Sequence, residues 1–222
     1  MHSNTILYFV KYPAPGKVKT RLAKSIGDKA AVKMYRHLAE NNFNVIKRLY
    51  ERKVCDLVVV FEPREKMEDF RKWLAVPCEY WPQSAGGLSE RLTSAFREAF
   101  SAKGGSLPDR QAGASGGQKG GNRVMALGSD TLGLTADVIQ QGFEALRSSD
   151  VVVGPAEDGG YYLVGSASFQ PKLFEGISWS TSEVLAQTYK AISDLRLSCQ
   201  TLPQLEDLDE IKIGEKHERI FT

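Results

Sequence analysis

Short runs of apolar, mostly β-branched residues alternate with longer amphipathic segments along this chain. Runs of this length, bounded by turn-forming residues, are typical of strands that are buried on both faces of a sheet. Strands are therefore predicted at Ile6–Val10, Leu57–Phe61, Val124–Leu127, Val151–Val153, Tyr161–Val164 and Ser198–Leu202. Because strands that alternate with helices form βαβ units, the pattern predicts an α/β domain whose mainly parallel sheet is flanked by helices.

The segments between the strands place apolar residues three and four positions apart, which is the spacing of an amphipathic helix. Four helices are predicted on this basis, over residues 31–49, 88–100, 138–146 and 184–195. Ser180 and Glu183 have the spacing of a capping box and are predicted to open the last helix. In such folds ligands bind beyond the carboxyl ends of the strands, so we expect the chemistry at that edge.

Charge balance and composition exclude several classes of function. The chain has 29 Lys and Arg against 27 Asp and Glu, which gives a net charge of +2. It therefore lacks the excess of basic residues that is typical of a nucleic-acid binder. The apolar run at Ile6–Val10 is far shorter than the roughly 20 residues that a helix needs to cross a bilayer. It is also shorter than the apolar core of a signal peptide. The short run therefore predicts no membrane association. The three cysteines have no CxxC spacing, so we expect reduced thiols and a cytoplasmic location.

One segment, residues 103–122, interrupts the alternation because it is rich in glycine and poor in apolar side chains. Such a composition buries too little apolar surface to order itself, so the segment is predicted to be a flexible insertion between a helix and the next strand. A substrate lid is the alternative interpretation. The chain, residues 1–222, is otherwise predicted to be a single domain.

A basic segment with two prolines directly follows the first predicted strand and has the sequence Lys-Tyr-Pro-Ala-Pro-Gly-Lys-Val-Lys-Thr-Arg over residues 11–21. The prolines disfavour helix, and Gly16 permits close approach of the backbone to a ligand. Lys17, Lys19 and Arg21 supply enough positive charge to neutralise a diphosphate or a triphosphate. The segment is predicted to bind phosphate, with an ordinary solvated loop as the alternative.

Acidic residues follow three later strands. Asp130, in Gly-Ser-Asp after the third strand, is a candidate ligand for Mg²⁺, and a turn or helix cap is the alternative. Glu157 and Asp158 lie between two strands, where they either face an acceptor or belong to a simple hairpin turn. Asp207 and Asp209 come late in the chain, where they either cap a terminal helix or provide a second metal ligand.

Five of these segments, taken in order, resemble motifs of the DUF2064 family of GT-A-fold proteins. They are the basic segment at 11–22, Gly-Ser-Asp at 128–130, Gly-Pro-Ala-Glu-Asp-Gly-Gly-Tyr-Tyr-Leu at 154–163, Phe-x-x-Ile-x-Trp-Ser-Thr at 174–181 and Asp-x-Asp at 207–209. The resemblance implies a GT-A-like nucleotide-diphospho-sugar transferase fold, in which the first half of the chain binds nucleotide and the second half receives the acceptor. Relatives by fold include molybdopterin-guanine and phospholactate guanylyltransferases.

The resemblance also implies roles for residues of the basic segment and for the acids. Lys19 and Arg21 would contact nucleotide phosphates, and Gly16 and Lys17 are further candidates from the spacing of the basic segment itself. Mg²⁺ or Mn²⁺ would be held by the aspartates after the central strand and near the chain end, which here are Asp130 and Asp209, with Asp207 as the alternative second ligand.

Two family motifs are altered in this chain. The motif Gly-Asp-Leu-Gly-x-Arg is here Gly-Gly-Leu-Ser-Glu-Arg at 86–91, so its acid is lost while Arg91, a further candidate nucleotide contact, is kept. The family's Asp-Cys-Pro is here Asp-Thr-Leu at 130–132, which keeps the candidate metal ligand. The insertion at 103–122 has no family counterpart.

Three functions fit these features. The first is a metal-dependent glycosyltransferase that moves a sugar from a nucleotide sugar to a small acceptor, with Glu157 or Asp158 as the candidate base. The second is a nucleotidyltransferase that joins a nucleoside triphosphate to a phosphorylated small molecule and releases pyrophosphate. The third is a non-catalytic module that binds a nucleotide.

Overall fold

The computed structural model describes residues 4–102 and 121–206. Its strands form one sheet in the order β3-β2-β1-β4-β6-β5-β7. The strands are β1 (Asn4–Lys11), β2 (Asp56–Glu62), β3 (Glu79–Pro82), β4 (Arg123–Leu127), β5 (Val151–Pro155), β6 (Tyr161–Ser166) and β7 (Cys199–Thr201). Within this described sheet β6 runs antiparallel to its neighbours β4 and β5, and the other pairings are parallel. The predicted α/β class with a mainly parallel sheet is confirmed.

Helices flank the sheet on both faces. They are α1 (Thr20–Ile26), α2 (Asp28–Glu51), α3 (Met67–Leu74), α4 (Leu88–Ala102), α5 (Ala136–Ala145) and α6 (Val184–Asp194). The four predicted helices are confirmed as α2, α4, α5 and α6, and the six predicted strands are confirmed as well. Three short elements, α1, α3 and β3, were not predicted.

The alternation of side chains along the strands divides the core into two layers. Along β1, Ile6 and Tyr8 pack with α2, α3 and α5, whereas Leu7 packs on the opposite face with α4 and α6. A smaller cluster joins Leu22 of α1 to the apolar face of α2. Because both faces of the sheet are covered by helices, a ligand can reach it mainly at the ends of the strands.

The register brings the carboxyl ends of the central strands together. Tyr8 of β1 lies beside Leu127 of β4, and Leu127 pairs in turn with Leu163 of β6. The turn between β5 and β6 therefore emerges beside the loop that follows β4. We call this side of the sheet the carboxyl edge.

The predicted capping box is wrong. The helix α6 begins at Val184, after Glu183, and Ser180 has a left-handed backbone with φ 63°. The helix start is fixed instead by tertiary contact, because the amide of Leu185 donates to the carbonyl of Gly159 in the β5–β6 turn at 2.9 Å. A local sequence signal was here overridden by packing against a distant turn.

Two sequence predictions lie outside the described residues. They are Asp207 and Asp209, and nearly all of the glycine-rich segment, whose residues 103–120 are not described. In the ranges 4–102 and 121–206, none of the helices combines the length and the apolarity that crossing a bilayer requires.

Candidate active site at the carboxyl edge

An ion pair joins the loop after β1 to the loop after β4. Nζ of Lys19 lies 2.9 Å from Oδ2 of Asp130. The Lys19 side chain is only 2% exposed, whereas that of Asp130 is 35% exposed. The structure thus brings together one predicted phosphate-binding residue and one predicted metal ligand, with the carboxylate still open to solvent.

The backbone of the basic segment explains why Lys19 is buried. Gly16 has φ 69°, and the amide of Lys17 donates to the carbonyl of Ala14 at 3.1 Å, which turns the chain. Val18 then enters the core at 4% exposure, and Lys19 takes a left-handed conformation with φ 45° and ψ 46°. A side chain in this conformation costs about 1 kcal/mol relative to ordinary backbone, so surrounding contacts must hold it.

Lys17 and Arg21 differ from Lys19 in that both are exposed. Arg21 lies in the first turn of α1, one residue after that helix begins. The basic segment therefore carries one buried cation on Asp130 and two that face solvent beside it. Both side chains are flexible, so they can reorient toward a ligand, at a cost of up to about 2 kcal/mol in rotamer entropy.

A layer of buried polar side chains supports the loop that carries Asp130. The hydroxyl of Tyr35, from α2, lies 2.9 Å from Oγ of Ser129, and it accepts a hydrogen bond from the Lys11 amide at 2.8 Å. Asn42, also from α2, donates to the carbonyl of Thr131 at 2.9 Å. These contacts bind the loop to α2 on both sides of Asp130, so the position of the Asp130 carboxylate is set by α2 as well as by β4.

Sequence reasoning missed Tyr35 and Asn42 as parts of this site. Tyr35 lies within the helix predicted over residues 31–49, for which the sequence indicated no polar role. A buried tyrosine usually finds a hydrogen-bond partner for its hydroxyl. The hydroxyl of Tyr35 was therefore the one sequence feature that could have indicated a polar contact at this position.

Burial dominates the ionisation of two tyrosines near the ion pair. Burial raises the pKa of Tyr35 above the usual value for tyrosine, and the Asp130 carboxylate raises it further. Burial likewise raises the pKa of Tyr8, whose hydroxyl donates to the carbonyl of Ala39 at 2.7 Å. Both phenols are therefore neutral at physiological pH and act as hydrogen-bonding groups.

The predicted acids of the β5–β6 turn are both exposed but differ in their contacts. Oδ1 of Asp158 accepts a hydrogen bond from the amide of Gly160 at 2.8 Å, the geometry of an Asx turn. The amide of Glu157 donates to the carbonyl of Leu205 at 3.2 Å. The turn thus uses the carboxylate of Asp158 to stabilise itself, which agrees with the predicted hairpin, and leaves the carboxylate of Glu157 facing solvent at the carboxyl edge.

The chain beyond β7 returns to the same edge. The amide of Leu132, two residues after Asp130, donates to the carbonyl of Glu206 at 2.9 Å. Glu206 is the last described residue, so the predicted second ligand, Asp209, lies outside the described residues.

Arg91 holds a neighbouring loop in place. Its Nη1 lies 2.6 Å from a carboxylate oxygen of Glu62 and donates to Gln83 at 3.0 Å, and its Nε donates to the carbonyl of Gly86 at 3.0 Å. These bonds tie α4 to the carboxyl ends of β2 and β3. The contact of Arg91 with a nucleotide stays a prediction. The observed bonds show that Arg91 holds the loop before α4 against the ends of β2 and β3.

An aromatic pair lies on the α4 and α6 side of the sheet. The rings of Tyr161 and Trp179 meet edge to face with centroids 6.1 Å apart. The indole of Trp179 donates to Oγ of Ser89 at 2.7 Å, and Ser89 donates to the carbonyl of Phe174 at 2.7 Å. Ser89 occupies the position of a glycine in the family motif Gly-Asp-Leu-Gly-x-Arg. Its hydroxyl oxygen accepts the hydrogen bond from Trp179, which a glycine could not do.

A surface cavity of about 250 Å³ lies beside α2 and α3 rather than over Asp130, and it is lined by Tyr12, Pro13, Arg36, Asp69, Lys72 and Trp73. Two cations line it, Arg36 and Lys72, and Arg36 is paired with Glu40 at 2.8 Å. Asp69 lines the cavity as well, whereas residues 11–21 contain no acid, so the basic segment is better suited to a phosphate.

The donor set at Asp130 is suited to a hard divalent cation. Among residues 4–102 and 121–206, no three His, Cys, Asp or Glu side chains form a cluster that could hold a metal. Mg²⁺ is commonly held by one or two carboxylates while substrate phosphates and water complete its shell. A single solvent-accessible aspartate beside cations that are predicted to bind phosphate fits that pattern.

Comparison with known proteins decides the family. Residues 45–181 match the model of the DUF2064 family, described as "Uncharacterized protein conserved in bacteria". The chain belongs to the DUF2064 family. The matched region includes Asp130, Glu157 and Trp179, and the predicted resemblance is confirmed. No match was found among curated proteins.

Solved structures extend the likeness to nearly the whole chain. A protein from Desulfovibrio desulfuricans G20, described as a "putative nucleotide-diphospho-sugar transferase", is 33% identical over 95% of this chain and 84% of its own, with a TM-score of 0.80. The 4-diphosphocytidyl-2C-methyl-D-erythritol synthase of Anaerococcus prevotii DSM 20548 is 9% identical over 98% of this chain and 93% of its own, with a TM-score of 0.54. That second likeness shows the fold alone.

A third structure is glucosyl-3-phosphoglycerate synthase from Mycobacterium tuberculosis, in complex with Mn²⁺, UDP and glucosyl-3-phosphoglycerate. It is 9% identical over 93% of this chain and 71% of its own, with a TM-score of 0.50. The fold of this DUF2064 protein is therefore that of nucleotide-diphospho-sugar transferases, which nucleotidyltransferases share. The prediction of a transferase is confirmed at the level of this class.

Proposed function

We propose that this protein is a metal-dependent glycosyltransferase that moves a sugar from a nucleotide sugar to a small acceptor. The observation that carries the proposal is the ion pair of Lys19 and Asp130 at the carboxyl edge. It combines a carboxylate for a divalent cation with cations for the phosphates of the donor. The 33% identity to the protein described as a nucleotide-diphospho-sugar transferase supports the choice of donor.

The metal ligands in this proposal are Asp130 and Asp209, with Asp207 as the alternative to Asp209. The hydrogen bond from the Leu132 amide to the Glu206 carbonyl supports the pairing, because it brings the late chain to within three residues of Asp209 at this edge. Bound Mg²⁺ or Mn²⁺ would supply charge neutralisation for the departing nucleoside diphosphate.

The residues of the basic segment bind the diphosphate of the donor. Lys19 supplies a buried positive charge beside Asp130, and this charge attracts the phosphates. Lys17 and Arg21 reach the same phosphates from the solvent side, and Gly16 leaves room for the ligand beside the backbone. Positive charge held in position stabilises the negative charge that grows on the leaving group.

The acceptor hydroxyl loses its proton to Glu157. Glu157 is preferred over Asp158 because the Asp158 carboxylate is engaged with the Gly160 amide in the turn. A carboxylate is a sufficient base when the proton leaves as the bond to the sugar forms. Arg91 holds the loop at 86–87, which would lie beside the nucleotide.

Nucleotidyl transfer is the second candidate, and one observation favours it. The cationic segment directly follows β1 and brings Lys19 to the proposed metal ligand, which suits the binding of a nucleoside triphosphate for attack by a phosphorylated acceptor. The products differ, because this reaction releases pyrophosphate and glycosyl transfer releases a nucleoside diphosphate.

Product analysis distinguishes the two candidates. The protein is incubated with Mn²⁺ and either a panel of nucleotide sugars or the four nucleoside triphosphates, with pooled small hydroxyl and phosphate acceptors. The proposal predicts release of nucleoside diphosphate that falls on the order of 100-fold in Asp130→Asn. Metal-dependent release of pyrophosphate from a triphosphate would favour the second candidate, and turnover of neither donor would contradict both.

The matched control is Asp194→Asn. Asp194 is the last residue of α6 and pairs with Lys190 on the surface. The chain passes from it into the start of β7, which runs parallel to β5, so Asp194 lies at the end of the domain opposite the carboxyl edge. The same chemical change there is expected to leave turnover intact.

A further inference from the structure

The carboxylate proposed to bind a metal already has a positive charge within hydrogen-bond distance. Nζ of Lys19 lies 2.9 Å from Oδ2 of Asp130. A divalent cation bound to the same carboxylate would lie within a few ångströms of this ammonium. Like charges at that separation repel strongly, most of all where one of them is shielded from water.

Lys19 has little freedom to move away. Its side chain is 2% exposed, its own backbone is left-handed, and the residue before it, Val18, is anchored in the core. The carbonyl of Lys19 also accepts the first hydrogen bond of α1, from the amide of Ala23 at 2.9 Å. The ammonium is therefore a fixed part of the site, unlike the exposed cations on either side of it.

We propose that Lys19 makes metal binding at Asp130 conditional on phosphate: the edge rejects a bare divalent cation and accepts one that arrives with a diphosphate or a triphosphate. The negative charge of the phosphate would then offset the repulsion between the metal and the Lys19 ammonium. This inference rests on the proposed function, because it takes Asp130 as a metal ligand.

The consequence is strong reciprocal coupling between the metal and the phosphate. If pyrophosphate raises the affinity for the metal by some factor, the metal must raise the affinity for pyrophosphate by the same factor. The binding unit is then the metal complex of the nucleotide. The site would then not be occupied by a metal ion in the absence of the nucleotide.

The variant that tests this is Lys19→Met, which keeps the length of the buried side chain and removes its charge. Asp130 remains hydrated in this variant because it is 35% exposed. Lys24→Met is the matched control, since Lys24 is an exposed lysine in the last turn of α1 and its loss changes the net charge equally. Circular dichroism verifies that each variant is folded.

The measurement is binding of Mn²⁺ alone, and of Mn²⁺ with inorganic pyrophosphate, by calorimetry and by the electron paramagnetic resonance of free Mn²⁺. We expect Lys19→Met to bind Mn²⁺ alone about ten-fold more tightly than the unsubstituted protein and Lys24→Met. Pyrophosphate should raise Mn²⁺ affinity about ten-fold or more in the unsubstituted protein and much less in Lys19→Met. The added affinity should vanish in the double variant Lys19→Met/Asp130→Asn.

Other outcomes overturn the inference and separate it from the proposed function. Equal binding of Mn²⁺ alone by Lys19→Met and the unsubstituted protein, with both losing it in Asp130→Asn, refutes the role of Lys19 and keeps the metal site. Mn²⁺ binding that survives in Asp130→Asn, or that is absent from all variants with and without pyrophosphate, refutes the inference together with the proposed metal site.

Discussion

Lys19 and Asp130 are joined at 2.9 Å although one follows the first strand of the chain and the other follows the fourth. The contact depends on β1 and β4 being neighbours in the sheet, with Tyr8 paired to Leu127. Parallel strands that lie side by side present their following loops at the same edge. The ion pair is thus a direct result of strand order.

Replacing Tyr35 with phenylalanine tests whether α2 supports this edge. The change removes the hydroxyl that contacts Ser129 and the Lys11 backbone. We expect a loss of about 2 kcal/mol in the free energy of unfolding, measured by urea denaturation, because buried partners lose their hydrogen bonds. Tyr12→Phe, at a partly buried tyrosine beside the same strand end, is expected to stay within about 0.5 kcal/mol. Equal effects of the two changes would contradict the supporting role.

Alkaline pH is expected to destabilise the fold. The pKa values of Tyr8, Tyr35 and Tyr161 are raised by burial, so the native state favours the neutral phenols. A group whose pKa is higher in the folded than in the unfolded state contributes stability below its unfolded pKa, which is about 10 for tyrosine. That contribution falls as the pH rises above about 10. Unfolding free energies measured from pH 8 to pH 11 should decline above pH 10, with a smaller decline in Tyr35→Phe. A flat profile would contradict this account.

The two acids of the β5–β6 turn should respond differently to neutral replacements. Asp158→Asn keeps an oxygen for the Gly160 amide, so its stability and turnover should be close to those of the unsubstituted protein. Glu157→Gln should fold normally yet lower the rate of glycosyl transfer about 100-fold, because it removes the proposed base. Both are measured by the initial rate of nucleoside diphosphate release in the presence of acceptor. The reverse order of effects would reassign the base to Asp158.

Gly159 is required where the β5–β6 turn meets the start of α6. Its φ is 86°, and a Cβ atom built there would lie 2.4 Å from the carbonyl oxygen of Ser182. Gly159→Ala should therefore cost about 3 kcal/mol of unfolding free energy, from backbone strain and a clash with main chain. Gly176→Ala is the control, since φ there is 70° but no atom lies within 4 Å of the added carbon. The control should cost about 1 kcal/mol, and an equal loss at both sites would show that the contact with Ser182 is unimportant.

The sequence predicted the elements whose patterns are long or strongly apolar. The strand at Val151–Val153 was recognised because its residues are consecutive and β-branched, and the helix containing Tyr35 because its periodicity persists over many residues. The short elements were missed for physical reasons. The helix α1 begins at Thr20, inside a segment whose prolines and cations indicated a loop, and β3 has only four residues, Glu79–Pro82, at the border of the sheet.

The candidate site was predicted in its residue types but not in its contacts. The motifs named Lys19 and Asp130 separately, yet periodicity contains no information on which strands are neighbours. The burial of Lys19 could not be read either, because it follows from a left-handed backbone and from the anchoring of Val18. The supporting role of Tyr35 depends on the angle at which α2 crosses β1, which only the folded chain defines.

The most direct test of the central claim, that Asp130 holds a metal for a nucleotide's phosphates, is thermal unfolding with and without ligands. A ligand that binds the native state raises the melting temperature by mass action. The account predicts that a nucleotide sugar or a nucleoside triphosphate raises it only with Mg²⁺ or Mn²⁺, in the unsubstituted protein and in Asp194→Asn, and that Asp130→Asn shows no such rise. An equal, metal-dependent rise in Asp130→Asn, or no rise with any nucleotide in the unsubstituted protein, would contradict it.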